Sequence, residues 1–234
     1  MRKLVAAPGF AERVNDIVME FGNARYQAVV DRYIAGENVP LEHVQGAWRD
    51  VVGAFGPVSP VYGEFYSAVR SVNQKLPNER RLRVLLGDPP IDWSRVRSRE
   101  DIGFYLPFRD QFCASLVRDQ VLAKGRKALL VSGTGHFQRT GGRPGAIESE
   151  ISMALVKPYV IVPGSNMVRG FDDLDPRFDA LTPPALVEMK GTWVGSLPAA
   201  GFFAHSGAAA TAPYASETAA MMRLFNSSGD IQSD

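Results

Sequence analysis

Three short apolar runs break into polar chemistry at their ends: NDIVMEF over Asn15–Phe21, LRVLLGD over Leu82–Asp88 and KALLVSG over Lys127–Gly133. Continuous rather than alternating apolar character marks strands covered on both faces, which is the condition of parallel sheets. Parallel neighbours need long crossover connections, and the stretches between these runs are long enough to hold helices. The expectation is an α/β fold: a mainly parallel sheet with helices on both faces. YVIVP, Tyr159–Pro163, reads as a fourth strand and LVEMKGT, Leu186–Thr192, as a fifth.

Helical spacing fills the gaps. Tyr26, Val29, Val30, Tyr33 and Ile34 repeat on one face, and Leu41, Val44, Trp48, Val51 and Val52 do so after Pro40. Ser59 and Pro60 supply a cap and a first-turn proline to a helix whose apolar face is Val61, Tyr62, Phe65, Tyr66, Val69, Val72 and Leu76. Another helix spans Pro107 to Lys124, closed by Gly125. A further one fits Ala146–Leu155. Past Gly164 the order weakens: residues 165–184 read as a long loop, 226–234 as a disordered polar tail, and 1–225 as a single α/β domain with an irregular C-terminal region.

Among 234 residues the formal net charge is +1, with 26 basic against 25 acidic side chains. That balance offers no pull toward nucleic acid or an anionic membrane. A single cysteine, Cys113, excludes an intrachain disulfide framework and any multi-cysteine metal site. Neither a signal peptide nor a membrane span is written in the sequence, so a cytoplasmic chain is expected. The arginines from Arg80 to Arg99 alternate with Asp88, Asp92, Glu100 and Asp101 and read as a salt-bridged surface.

Ligands of parallel α/β sheets bind where the strands end at their carboxyl edge. Glu20, Asp88 and His136 all fall there, two carboxylates and an imidazole, a set suited to general acid/base chemistry or to a divalent metal held by Glu20 and His136. Arg109 opens the helix before the third strand and could clamp an anion or hold a site carboxylate. Each has a plainer alternative. His136 lies in GTGHFQRTGG and could simply bond a turn; Glu20 and Asp88 could cap backbone; Arg109 and Asp110 could form a solvated first-turn pair. The glycines beside His136 allow close backbone approach to a ligand. Gln138 stands where a dinucleotide fingerprint needs its third glycine, and no P-loop lysine follows. GxSxG and HExxH are absent, and Cys113 lies mid-helix near the apolar face.

Glu20 in IVMEFGNARYQ, the Arg109–Asp110 pair and the strand running into GTGH at Gly133–His136 together resemble the superfamily that joins erythromycin esterase, the ChaN-like haem-binding proteins and the TraB/Tiki proteins. LLGDPPIDW is similar to an uncharacterised bacterial branch. The resemblance spans roughly 16–163. It implies an α/β fold and a site in which Glu20 is the second-strand glutamate, Arg109 the helix arginine and His136 the late histidine, with Asp88 an additional candidate. The implied activity is hydrolysis of an ester, lactone or peptide bond, metal-assisted in the Tiki group. The alternative implied function is haem or tetrapyrrole binding through a histidine or one of Tyr62, Tyr66 and Tyr105.

The family's first strand, with its GxxH-type histidine, has no counterpart before Glu20. The expectation is therefore an N-terminally truncated or half-site member, inactive in the limit. An exposed sheet edge would favour a homo-oligomer, with a small molecule or peptide as the other partner.

Overall fold

The computed structural model describes residues 1–52 and 60–133, together with His136, 158–161, Glu188 and Gly191. Its described elements fall within the unit that holds Met1–Val160. Two short helices, α1 (Arg2–Val5) and α2 (Phe10–Arg13), precede strand β1 (Asp16–Asn23). Then come α3 (Gln27–Ala35), α4 (Leu41–Val44), α5 (Gly46–Arg49), α6 (Pro60–Asn73) and strand β2 (Arg83–Asp88). Helix α7 (Arg99–Tyr105), helix α8 (Arg109–Gln120) and strand β3 (Ala128–Val131) complete the series.

The strands form a three-stranded parallel sheet in the order β2-β1-β3. Register runs from Asp16 opposite both Arg83 and Ala128 to Met19 opposite Leu86 and Val131. After Met19 the β1–β2 pairing shifts and resumes at Asn23 opposite Asp88. Glu20 sits in that irregular stretch, just past the last β1–β3 pair, where its side chain is free of the regular ladder.

Alternate residues of the strands feed two cores. Ile17, Met19, Val84 and Leu86 pack with Val30, Tyr33 and Ile34 of α3, Ala47 and Trp48 of α5, and Phe65, Tyr66 and Val69 of α6. Val18 and Leu85, one position out of phase, meet Cys113, Ala114 and Val117 of α8. The period of two is what lets one apolar run cover both sides. Asp16, fully buried at the start of β1, accepts bonds of 2.7–2.9 Å from Arg83 and Arg126 and so ties together the entries of all three strands.

Several elements differ from their sequence expectation. The helix predicted after Pro40 is broken into α4 and α5. A Cβ at Gly46 would lie 2.3 Å from the Tyr26 ring, so only glycine lets that ring lie against the backbone there. The Pro107–Lys124 helix is regular only over α8, and Gly125 closes the following turn at φ 61°. Val61 is 59% exposed rather than on the buried face of α6. The arginine-rich stretch is salt-bridged, but mostly to distant residues: Arg83 reaches Asp16, Arg80 reaches Glu12 and Asp92 takes Arg25, while the Arg97 amide bonds nearby Asp101. Tyr159, Val160 and Ile161 are exposed and belong to no strand, so the fourth strand is not formed over those residues. The Ser59 cap, the Ala146–Leu155 helix, most of the Leu186–Thr192 strand, the 165–184 loop and the 226–234 tail lie outside the described residues. No helix among the described residues is long and apolar enough to cross a membrane.

Candidate functional site

Where β1, β2 and β3 end, five charged side chains from three strand ends and one helix meet. Glu20 is buried, and its carboxylate accepts from Arg109 Nη2 at 3.2 Å, His136 Nε2 at 2.8 Å, the Ser132 hydroxyl at 2.9 Å and the Gly133 amide at 2.5 Å. Ser132 and Gly133 directly follow β3, so the parallel register that stops at Val131 delivers both donors to the carboxylate. Asp88, fully buried at the tip of β2, accepts from Arg109 Nε at 2.7 Å and from the Val52 amide at 2.5 Å. Arg109 thus bridges the two carboxylates, and His136 bridges Glu20 to Asp110, whose Oδ1 lies 2.5 Å from Nδ1.

Exposure rises along this chain. The side chains of Asp88 and Glu20 are 0% and 7% exposed, Arg109 15%, His136 24% and Asp110 27%. One end is sealed and the other meets solvent, so a ligand would approach from the His136 side.

The surroundings set the charges. Burial alone would raise the Glu20 carboxyl, but bonds from His136, the Gly133 amide and Ser132 outweigh it and hold the group down at about 2. His136 is pushed above its ordinary 6.5, chiefly by its bond to Glu20, against burial and with the charges of Glu20 and Asp110 adding to the effect. With a carboxylate at each nitrogen, both ring N–H groups donate, which is the imidazolium form. Asp88 is pushed upward by burial against the pull of Arg109 and the Val52 amide. Cys113 lies against the back of the site. Burial, with the charges of Glu20, Asp110 and Asp88, lifts its thiol to about 12, so it packs as a small apolar group and supplies no nucleophile.

The structure therefore brings together all four of the residues singled out from sequence: Glu20, Asp88, Arg109 and His136. It removes the plainer alternative for Arg109, which is no solvated surface pair; Asp88 and Glu20 each accept from a backbone amide, as the plainer reading had it, and from Arg109 as well. Asp110, Ser132 and the Gly133 amide were missed as members. For Asp110 the signal was adjacency to Arg109 at the first turn of a helix; for Ser132 it was position directly after a buried strand.

A metal held by Glu20 and His136, and haem held by one of the three tyrosines, do not fit the described residues. Glu20 and His136 bond to each other, Arg109 fills the space between the two buried carboxylates, and among the described residues no three His, Cys, Asp or Glu side chains converge as a metal-holding group. For haem, Tyr66 is sealed in the core against Trp48 and Phe65. Tyr62 packs with Trp48 and Phe21, while Tyr105 belongs to a separate cluster with Val52 and Ile102. A cavity of about 610 Å³ lies between α1, α4–α5 and α6, lined by Trp48, Gly63 and Ser67 among others but by no member of the charged cluster.

Comparison with protein families, with curated proteins and with solved structures finds nothing that matches this chain.

Proposed function

We propose that the charged cluster is the acid/base site of a hydrolase acting on an ester, lactone or peptide bond, in the manner of the erythromycin-esterase group. The observation that supports this most directly is the buried Glu20 carboxylate, held at once by an imidazole and a guanidinium at the carboxyl edge of a parallel sheet. In this reading water adds to the carbonyl carbon, and His136, resting as an imidazolium, gives a proton to the leaving oxygen or nitrogen as the tetrahedral adduct collapses and the carbonyl–heteroatom bond breaks. The neutral ring that remains takes up the surplus proton of the added water. Glu20 holds the ring through Nε2 until substrate draws it away, and the planar fork of Arg109 steadies the developing oxyanion with donors not directed at Glu20 or Asp88. Asp88 keeps Arg109 in place.

The test is turnover of a panel of activated esters, lactones and short peptides by the full chain. His136→Ala should abolish turnover while the circular dichroism stays that of the wild type, with a lower urea midpoint because buried Glu20 loses one of its four donors. Because His136 titrates above 6.5, kcat/KM should be level below that pH and fall as pH rises through the raised value. Turnover that survives His136→Ala would remove the role assigned here. A Soret band that saturates at one equivalent of added haem, with no hydrolysis of any substrate, would favour a binding protein instead.

A further inference from the structure

Asp110 is the member of the cluster with no assigned part. It stands in the first turn of α8, directly after Arg109, and its Oδ1 lies 2.5 Å from His136 Nδ1. An imidazole can point either nitrogen at a reacting group, and a carboxylate at one of them decides which proton stays and which is free to transfer. Glu20 alone cannot decide it. Glu20 already accepts from Arg109, Ser132 and Gly133, and its bond to Nε2 leaves rotation about that contact open.

We infer that Asp110 is a positioning residue: it anchors the Nδ1 proton of His136 so that Nε2 is the nitrogen that faces Glu20 and exchanges its proton. Among the described residues, the groups that face His136 from the packed elements are Glu20 of β1 and Asp110 and Arg109 of α8, and Asp88 of β2 stands behind Arg109. Of these, Asp110 alone touches Nδ1. Its side chain is also the most exposed of the five, so its replacement disturbs the core least. The second fixed contact gives two adjacent residues of one helix turn a hold on the same oxygen, Glu20 Oε1. Arg109 reaches Glu20 directly, and Asp110 reaches it through the ring. The inference rests on the reading of His136 as the proton-transferring group, but it makes a claim about the ring that can be read without turnover.

The experiment follows the two ring nitrogens of His136 by 15N NMR across pH in the full chain, with His136→Ala identifying the signal among the three histidines. In the wild type the neutral ring should keep its proton on Nδ1. In Asp110→Asn, which keeps the shape and removes the charge, the titration midpoint should fall by about one pH unit and the preference for Nδ1–H should be lost. Asp110→Glu should restore part of both. On any substrate that is hydrolysed, Asp110→Asn should lower kcat more than it raises KM and move the alkaline limb of the pH profile down with the NMR midpoint. An unchanged midpoint and tautomer in Asp110→Asn would overturn the inference, and a neutral wild-type ring protonated on Nε2 would do the same. Absence of turnover in the wild type, with the tautomer as described, would count against the hydrolase reading alone and leave the anchoring of Nδ1 established.

Discussion

Glu20 carries opposing demands that no surface glutamate meets. Its burial favours the neutral acid, while four donors favour the anion and win, holding it near 2 against an ordinary value of 4.5. A carboxyl depressed in this way stabilises the fold fully above 4.5, and that contribution disappears as pH falls through 2. Removing the charge takes one of two carboxylate partners from Arg109 and from His136, which keep Asp88 and Asp110. Glu20→Gln is therefore expected to destabilise by about 3–5 kcal/mol and to flatten the loss of stability on the acid side, read as urea midpoints between pH 2 and 6. A variant whose midpoint still falls steeply over that range would place the acid sensitivity elsewhere. Sequence spacing could propose Glu20 and His136 but could not choose between the two readings of Arg109. Nothing in FRDQF distinguishes a solvated ion pair from one whose partners lie 21 and 89 residues away. The reason is physical: charge pairing across a sheet depends on register, and register is not written locally.

At the scale of elements, β1 and β2 were legible because burial imposes continuous apolar runs, β3 because its half-buried run is equally apolar, and helix α6 because its stripe repeats at the helical period. The breaks were less legible because they answer to distant side chains. The helix after Pro40 breaks at Gln45, and the next residue, Gly46, must lack a Cβ because the Tyr26 ring lies against it. Gly22 shows the same logic in β1, where an added Cβ would meet Leu86 Cα at 3.1 Å, the Met19 carbonyl at 3.0 Å and the tip of Leu86 at 2.9 Å. The Leu86 tip could rotate away; the two backbone atoms could not. Gly22 lies in the stretch where β1–β2 pairing shifts, two residues from Glu20, so a forced separation there would splay the strand ends that assemble the site. Gly22→Ala should cost about 1–3 kcal/mol in urea unfolding and should broaden or shift the His136 ring resonances. A variant with wild-type stability and an unaltered His136 spectrum would show that β1 and β2 can part there without consequence.

Across the molecule, the central strand carries a buried acid near each end, and the two serve different purposes. Asp16 joins Arg83 and Arg126 with short bonds at the N-terminal edge. No histidine or hydroxyl takes part, and its partners come from the starts of the other two strands. Burial would raise its carboxyl, but the bonds from Arg126 and Arg83 overcome that and hold it below 3.8. It therefore also contributes to stability above 3.8 and loses that contribution in acid. Glu20 at the opposite edge joins groups that can exchange protons and that reach solvent. If this division is right, damage at one edge should not be felt as chemistry at the other. Asp16→Asn leaves two partly exposed arginines without their shared anion and should lower stability by about 3 kcal/mol, toward the lower end for a broken buried pair because both cations can turn to water. The His136 titration midpoint and its Nδ1–H tautomer should stay as in the wild type. A midpoint that moves in Asp16→Asn as far as it does in Asp110→Asn would mean that β1 couples its two ends, and that the acid at the strand entry belongs to the site as well as to the fold.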